Sequence, residues 1–488
     1  MQSIVDMRSQ LDTLQQQLGT GMKSDTYSGL GLARGLTVGL RSQLSANAGF
    51  QDTNTSVGVR LDLAQTALGQ ISSIGQSAQS TIMQSPFAIN GGNQTTDQKT
   101  ALSQLDQVIG LLNTQAGGRY LFSGSAVDQP AVASTDEIMN GSGGKAGFTQ
   151  VVSERKQADL GADGLGRLVI GSPSSTAVSV SDDVPGSPFG MKFAGVNSTL
   201  SGATVVSSAT GVSVDLGAGG VQNGQTLKLS FTLPDGSNAD LTLTATTASP
   251  PGPNQFTIDP DPTVTASNLT AAITSGVSTL AGTALTAASA VAAGNDFFNT
   301  DATHPPQRVD GPPFDTATAL VDGTPSNTVT WYTGEAGSTS ARSTSTARID
   351  QSITVNYGMR ANEQALRLAV QNIATFAATT YSTTDANAAG SYTALKQRLT
   401  QSLDGPPGQQ QISDIASELA GAQTTLQNTK DRLDQSTATM TDVLQNAETV
   451  PQEQVAAQIL TLQTSLQATL QTTAMLLKTS LVNYLPVS

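Results

Sequence analysis

Residues 412–450 read ISDIASELAGAQTTLQNTKDRLDQSTATMTDVLQNAETV, and the fold turns on them. From Ile412, side chains at Ile415, Leu419, Ala422, Leu426, Thr429, Leu433, Ser436, Met440, Val443, Ala447 and Val450 follow in alternating steps of three and four. Ten of these twelve positions are apolar, and the exceptions, Thr429 and Ser436, carry small hydroxyls. A heptad seam of this kind belongs to a long helix lying along partner helices. Its 39 residues would reach about 58 Å, beyond an ordinary globular helix. Pro451 fits the first turn of a new helix. That second seam runs through Val455, Ile459, Leu462, Leu466, Leu470, Leu477, Leu481 and Tyr484.

A stripe of that length needs a surface to lie on, and the start of the chain offers one. Ile4, Met7, Leu11, Leu14 and Leu18 repeat the same spacing. A glycine-rich stretch from Gly19 to Gly35 then interrupts the helix. The helical pattern resumes at Leu36, Leu40 and Leu44 and strengthens at Val57, Leu61, Ala64, Leu68, Ile71, Ala78 and Ile82. After turns at Ser85-Pro86 and Asn90-Gly91-Gly92, Thr96 stands as the cap of a further helix. Its seam is Leu102, Leu105, Ile109, Leu112 and Ala116, with Gly117-Gly118 as its end.

Residues 126–349 have a different character, rich in Gly, Ser, Thr, Pro and Val with short alternating runs. Leu227, Leu229, Phe231 and Leu233 alternate with polar residues, Pro234-Asp235-Gly236 turns the chain, and Leu241 and Leu243 alternate back, which predicts a hairpin. A short helix follows Thr265-Ala266-Ser267-Asn268, with Leu269, Ile273, Val277 and Leu280 on one face. The Ser/Thr run Ser338–Ala347 reads as a surface loop. After the alternating Ile353, Val355 and Tyr357, helices return over Met359–Thr380 and Tyr392–Leu403, and Gly405-Pro406-Pro407-Gly408 breaks before the long seam. The expected fold class is α+β: a long antiparallel helical bundle or coiled-coil rod built from both chain ends, with a β-rich insert domain in the middle. Ile4–Leu18 and Val455–Leu485 would form a two-helix arm with no third surface, which is marginal in water on its own.

Composition narrows the function classes. The net charge of −14 and the absence of a basic cluster argue against nucleic acid and anionic membranes. With no cysteine, thiolate metal sites, disulfides and thiol catalysis are excluded. Asp6, Arg8 and Asp12 interrupt any apolar leader at the start. Gln458, Gln463, Gln467, Gln471 and Lys478 interrupt the last helix as a membrane span. The single histidine, His304, lies in a loop. Gly29-Leu30-Gly31-Leu32-Ala33-Arg34-Gly35 misses the dinucleotide fingerprint, because its third glycine falls one place late and no strand precedes it, so it reads as a flexible connector. Asp182-Asp183 and Asp259-Pro260-Asp261 lack calcium-loop spacing and read as solvated turns. No catalytic, cofactor-binding or metal residue is assigned, and the chain reads as a non-enzyme.

Four stretches carry a resemblance. Leu11-Asp12-Thr13-Leu14-Gln15-Gln16-Gln17-Leu18-Gly19-Thr20-Gly21 and the terminal Ser480-Leu481-Val482-Asn483-Tyr484-Leu485 resemble the end helices of the bacterial flagellins and the flagellin-like hook-filament junction proteins (hook-associated protein 3). Gly118-Arg119-Tyr120-Leu121-Phe122-Ser123-Gly124 and Val355-Asn356-Tyr357-Gly358-Met359-Arg360-Ala361-Asn362-Glu363 are similar to the junction proteins in particular. The resemblance implies an extracellular, axial structural protein of the flagellum at the hook-filament junction, exported unfolded by a type III route. A filament flagellin is the alternative, and a secreted adhesin or enzyme carried on the insert is less favoured. Implied partners are copies of itself, neighbouring axial proteins (hook, the other junction protein, flagellin) and an export chaperone; nucleic acid and membrane insertion are not implied. Residues 1–20 and 452–488 would form the terminal packing domain, 21–125 and 350–451 the helical rod, and 126–349 the outward-facing insert. Subunit packing would rest on Ile4, Leu11, Leu14, Leu18, Leu466, Leu470, Leu477, Leu481, Tyr484 and Leu485, and the rod-to-insert turn on Arg119, Tyr120 and Phe122. The chain starts closer to its Leu-rich motif than the family pattern, so the resemblance implies further turns of helix ahead of it.

Overall fold

The structure, a computed structural model, describes residues 2–89, 92–300, 304–405 and 408–482. In chain order the helices are α1 (Gln2–Thr20), α2 (Arg34–Gln84), α3 (Thr96–Leu112), α4 (Thr135–Asn140), α5 (Phe148–Leu160), α6 (Pro262–Leu280), α7 (Thr286–Phe298), α8 (Gln364–Ala378), α9 (Ala388–Leu403), α10 (Ile412–Glu448) and α11 (Gln452–Val482). The strands are β1 (Gln115–Ala116), β2 (Arg119–Tyr120), β3 (Leu168–Ser174), β4 (Ala177–Asp182), β5 (Lys192–Ser198), β6 (Thr204–Ser208), β7 (Gly211–Asp215), β8 (Thr226–Thr232), β9 (Asn238–Thr246), β10 (Gln255–Thr257), β11 (Gln307–Val309), β12 (Leu320–Asp322), β13 (Thr346–Arg348) and β14 (Thr354–Asn356). Helices from both chain ends thus enclose a β-rich middle, and the class is α+β. The chain divides into two compact units: Met1–Gly58 with Ala347–Val355 and Gln423–Ser488, and Val59–Thr346 with Asn356–Ala422.

In the first unit α2 lies along α10, and the contacts between them are unusually polar. Thr37, Asn47 and Asn54 are buried at seam positions of α2, and the two asparagines are why the apolar rhythm thins between Leu44 and Val57. Gln51 Nε2 donates to Asp434 Oδ1 at 2.6 Å, and Asn54 Nδ2 donates to the Ile349 carbonyl at 3.3 Å. A polar residue in a helical seam fixes register at some cost in stability. The β13–β14 hairpin is tied to α10 by Asp350 and Arg432. The α10 seam holds as expected through Leu426, Thr429 and Leu433, all buried. It then slips. Val443 is exposed and Leu444 is half-buried in its place, because a straight helix drifts against a strict seven-residue repeat.

In the second unit the rest of α2 turns Leu61, Ala64, Leu68, Ile71, Ala78 and Ile82 inward, and Ile415 and Leu419 of α10 are buried as well. Helix α3 packs on α8. Its cap is Thr95, one residue ahead of the expected Thr96, in a reciprocal capping box with Gln98. The helix also ends earlier than expected: Leu102 is exposed, Ala116 sits on β1, and Gly117-Gly118 form the two-residue turn of the β1–β2 hairpin. Helix α8 starts at Gln364 rather than Met359.

The middle holds two four-stranded sheets, ordered β3-β4-β7-β6 and β10-β9-β8-β5. The predicted hairpin is β8–β9, with Leu227 opposite Leu243 and Leu229 opposite Leu241. Val178, Val180, Val212 and Val214 from one sheet share a core with Leu227, Leu229 and Phe231 from the other, closed by Leu269, Ile273 and Val277 of α6. Helix α6 begins at Pro262, several residues before the expected start. Asp261 caps it by accepting from Thr263 N–H at 2.8 Å, so Asp259-Pro260-Asp261 is a helix start rather than a solvated turn. A π-helical segment, Ala281–Leu285, carries the chain on into α7. Asp182-Asp183 is also more than a turn: Asp183 pairs with Arg167 at 2.6 Å, and Asp182 Oδ1 accepts from Phe193 N–H at 3.0 Å. Phe148, Phe297, Phe298 and Trp331 form an aromatic cluster in which Phe148–Phe298, Phe297–Phe298 and Phe298–Trp331 meet edge-on and Phe148–Phe297 is tilted at 39°. Ser338–Ala347 is not a plain loop, since it holds a 3-10 turn at Ala341–Thr344 and enters β13.

Candidate functional site

The terminal helices form the candidate site. Helix α1 packs on α11, and among the described side chains of α1 none is fully buried. Ile4, Leu11 and Leu14 are half-buried and Leu18 is 36 % exposed. Burial also fades along α11. Val455 (3 % exposed) and Ile459 (8 %) are buried, Leu462 and Leu466 half-buried. Between Leu466 and Lys478 the half-buried positions are Thr469 and Thr473, whereas Leu470 is 41 % and Leu477 63 % exposed. The expected seam therefore divides. The side of α11 used within the chain turns to threonines, and the leucines face outward with Leu460, Met475 and Leu476. The side chain of Leu481, and Tyr484 and Leu485, lie outside the described residues.

Five threonines of α11 are internally satisfied. Thr461, Thr464, Thr469, Thr472 and Thr473 each donate from Oγ1 to the carbonyl four residues back, at 2.6–2.9 Å. Nor does α11 carry a charge between Glu453 and Lys478. Pro451 stands one residue before the helix, not inside its first turn, and its carbonyl accepts from Val455 N–H at 3.1 Å.

Where α1 gives way to α2 and α10 to α11, the two crossings are laced together. Met22 and Thr449 form an antiparallel bridge; Lys23 N–H donates to the Glu448 carbonyl at 2.7 Å and Val450 N–H to the Gly21 carbonyl at 3.0 Å. Lys23 Nζ donates to the carbonyls of Asn446 and Ala447 at 2.7 and 3.0 Å, the favoured place for a cation at a helix C-terminus. Arg41 of α2 grips the Glu448 carboxylate with two bonds, Nε at 3.0 Å and Nη2 at 2.8 Å. That hydrogen bond and the charge beside it raise the Arg41 pKa. The Tyr27 ring lies 5.8 Å from the same guanidinium. Gly29–Gly35, expected as a flexible connector, belongs largely to two short 3-10 turns within Tyr27–Ala33, kinked at Gly31 where φ is +56°.

A second junction lies in the other unit, where the chain leaves for the β-rich middle and returns. Gly117 and Gly118 both adopt positive φ, +61° and +75°, as a two-residue hairpin turn requires. Arg119 is exposed, Tyr120 half-buried and Phe122 buried. The outgoing strand then pairs with the returning one: Gly124 N–H donates to the Met359 carbonyl at 2.9 Å and Ala361 N–H to the Phe122 carbonyl at 2.8 Å. Arg360 pairs with Glu335 at 3.2 Å and donates to the Gly337 and Thr339 carbonyls. Burial pushes the Glu335 carboxyl up, but the Ser125 N–H and Arg360 outweigh it and hold the pKa below the usual range. The two motifs resembling junction proteins are thus physically joined.

Residues 1–127 match the bacterial flagellin N-terminal helical region. This ties the chain to the flagellin and hook-associated proteins. No curated protein and no solved structure is matched. Among the described residues no three His, Cys, Asp or Glu side chains could hold a metal, and His304 is exposed. Among the described residues, the run long and apolar enough to cross a membrane is Pro262–Phe298, and over half of its apolar window is buried inside the protein.

Sequence reading missed Lys23, Arg41 and Glu448, and equally Glu335 and Arg360. One signal was available. An acid in the last turn of α10 is unfavourable against the helix dipole, so Glu448 called for cations close by.

Proposed function

We propose that this chain is an axial subunit of the bacterial flagellum which polymerises by burying the outer faces of α1 and α11 between copies. The observation that carries this is the outward leucine face of α11, Leu470, Leu476 and Leu477, on a helix without charge from Gln454 to Leu477. A solitary pair of helices leaves that face in water, where it favours association. Ile4, Leu11, Leu14, Leu18, Leu466, Leu470, Leu477, Leu481, Tyr484 and Leu485 are assigned to subunit packing, and Arg119, Tyr120 and Phe122 to the turn from helices to insert. Domain limits of 1–20 with 452–488, 21–125 with 350–451, and 126–349 go with this reading. So do an extracellular location, export by the type III route, a cytosolic chaperone before export, and neighbouring axial proteins as partners.

Filament flagellin is the member of the class that the matched region supports better. The second reading, a ring at the hook-filament junction, is favoured by one observation, the pairing of Phe122–Gly124 with Met359–Ala361. Immunogold labelling of intact flagella separates them. Decoration along the whole length is the expected result, a single narrow band at the hook end would transfer the assignment to the junction, and labelling of neither would end both.

A further inference from the structure

The crossing between the terminal helices and the longer ones is built as a single double-stranded joint. Two separate loops would have let α1 and α11 turn independently. Instead Gly21–Lys23 and Glu448–Val450 share backbone bonds in both directions. Both cations of the joint converge on the end of α10: Lys23 takes its carbonyls, and Arg41 takes the carboxylate of Glu448, whose side chain is only 10 % exposed. From the α1 side, Gln17 Nε2 donates to the Lys23 carbonyl at 2.8 Å, and Gln16 bonds to Asp25. Four segments therefore meet at one charged point: the end of α1, the linker, α2 and the end of α10.

We propose that Arg41 and Glu448 form a joint lock, which makes α1 and α11 one pre-aligned pair and fixes the direction in which that pair leaves α2 and α10. Helix α1 has no fully buried described side chain to hold it, so its alignment depends on the lacing at its end. The lock regulates the surface assigned to assembly and rests on that reading for its purpose. Its mechanics do not. Removing the carboxylate charge frees Arg41 and weakens the bridge between the crossings, and both helices lose their reference together.

Amide hydrogen exchange on full-length monomer, wild type against Glu448→Gln, tests this. The expected result is protection lowered by about threefold in α1 and α11 alike, with α3 and α8 unchanged as the control for folding. The chain has no cysteine of its own, so Met22→Cys with Thr449→Cys can close the joint covalently in the Glu448→Gln background. Oxidation should restore protection to both helices and reduction remove it. A loss confined to α11, no loss in either helix, or no rescue by the crosslink would overturn the lock. Polymerisation of the wild-type chain is read separately by sedimentation. Its failure counts against the assembly reading and leaves the exchange result standing.

Discussion

Leu477 is exposed over 63 % of its surface, so replacing it should cost the folded monomer little. Leu477→Glu is expected to change unfolding free energy by no more than about 0.5 kcal/mol, while self-association weakens at least tenfold; thermal unfolding and sedimentation velocity read the two effects apart. Phe122 is the opposite case. It is fully buried beside the outgoing strand, and Phe122→Ala should cost about 3–5 kcal/mol in denaturant unfolding. Glu335 adds a pH dependence with a definite sign. Its folded pKa lies below the ordinary glutamate value, so its stabilisation is complete above that value and is lost as pH falls through the depressed folded one. The stability gap between wild type and Glu335→Gln should be steady near neutrality and shrink on acidification. A gap that widens in acid would contradict the assigned bonds. At this scale the sequence was a partial guide. Leu470 and Leu477 stand out by type, but only the structure places Thr469 and Thr473 on the side nearer α1. A period of three and four cannot choose between neighbouring positions 469 and 470.

Among the elements, α2 and α10 were legible because each repeats one face over many turns, enough to average out single exceptions. Helices α6 and α7 were half legible. The run Ala281–Ala293 is rich in alanine and threonine, and such residues mark no face clearly even where none is exposed. The strands β1 and β2 were missed, since two residues each give no period to read, and their turn glycines were taken for a helix end. The pairing of α1 with α11 carries its own prediction. A helix of 19 residues is marginal alone in water. A chain ending at Gln454 should therefore lose the helicity of α1 as well as α11, seen as a drop in far-ultraviolet circular dichroism beyond that of the deleted segment. The melting of the β-rich unit should stay within about 2 °C of wild type. Retention of α1 helicity would show that it has another support.

For the whole molecule, the sequence conveyed the order of parts: helices at the ends, sheets between. It did not convey that the two junction motifs, more than two hundred residues apart, bond to each other, because long-range pairing leaves no local period. That pairing closes the base of the middle region, which also packs through α7 on α8 and α9. A chain with residues 130–345 excised keeps Phe122, Gly124, Met359 and Ala361 to close the cut through backbone bonds, although Arg360 loses Glu335. Such a chain is expected to polymerise still, by electron microscopy of the pelleted material. Failure despite a folded α3–α8 pair would move the assembling surface into the insert.

The hydroxyls of Thr461, Thr464, Thr469, Thr472 and Thr473 lead to a last point. Each one bonded to its own backbone asks nothing of a neighbouring molecule, and the leucines beside it ask only for closeness. Contacts of that sort have no preferred notch. Copies joined through them could glide a fraction of an ångström past one another under load, so a tube made this way would yield smoothly in bending where one pinned by directional bonds would crack.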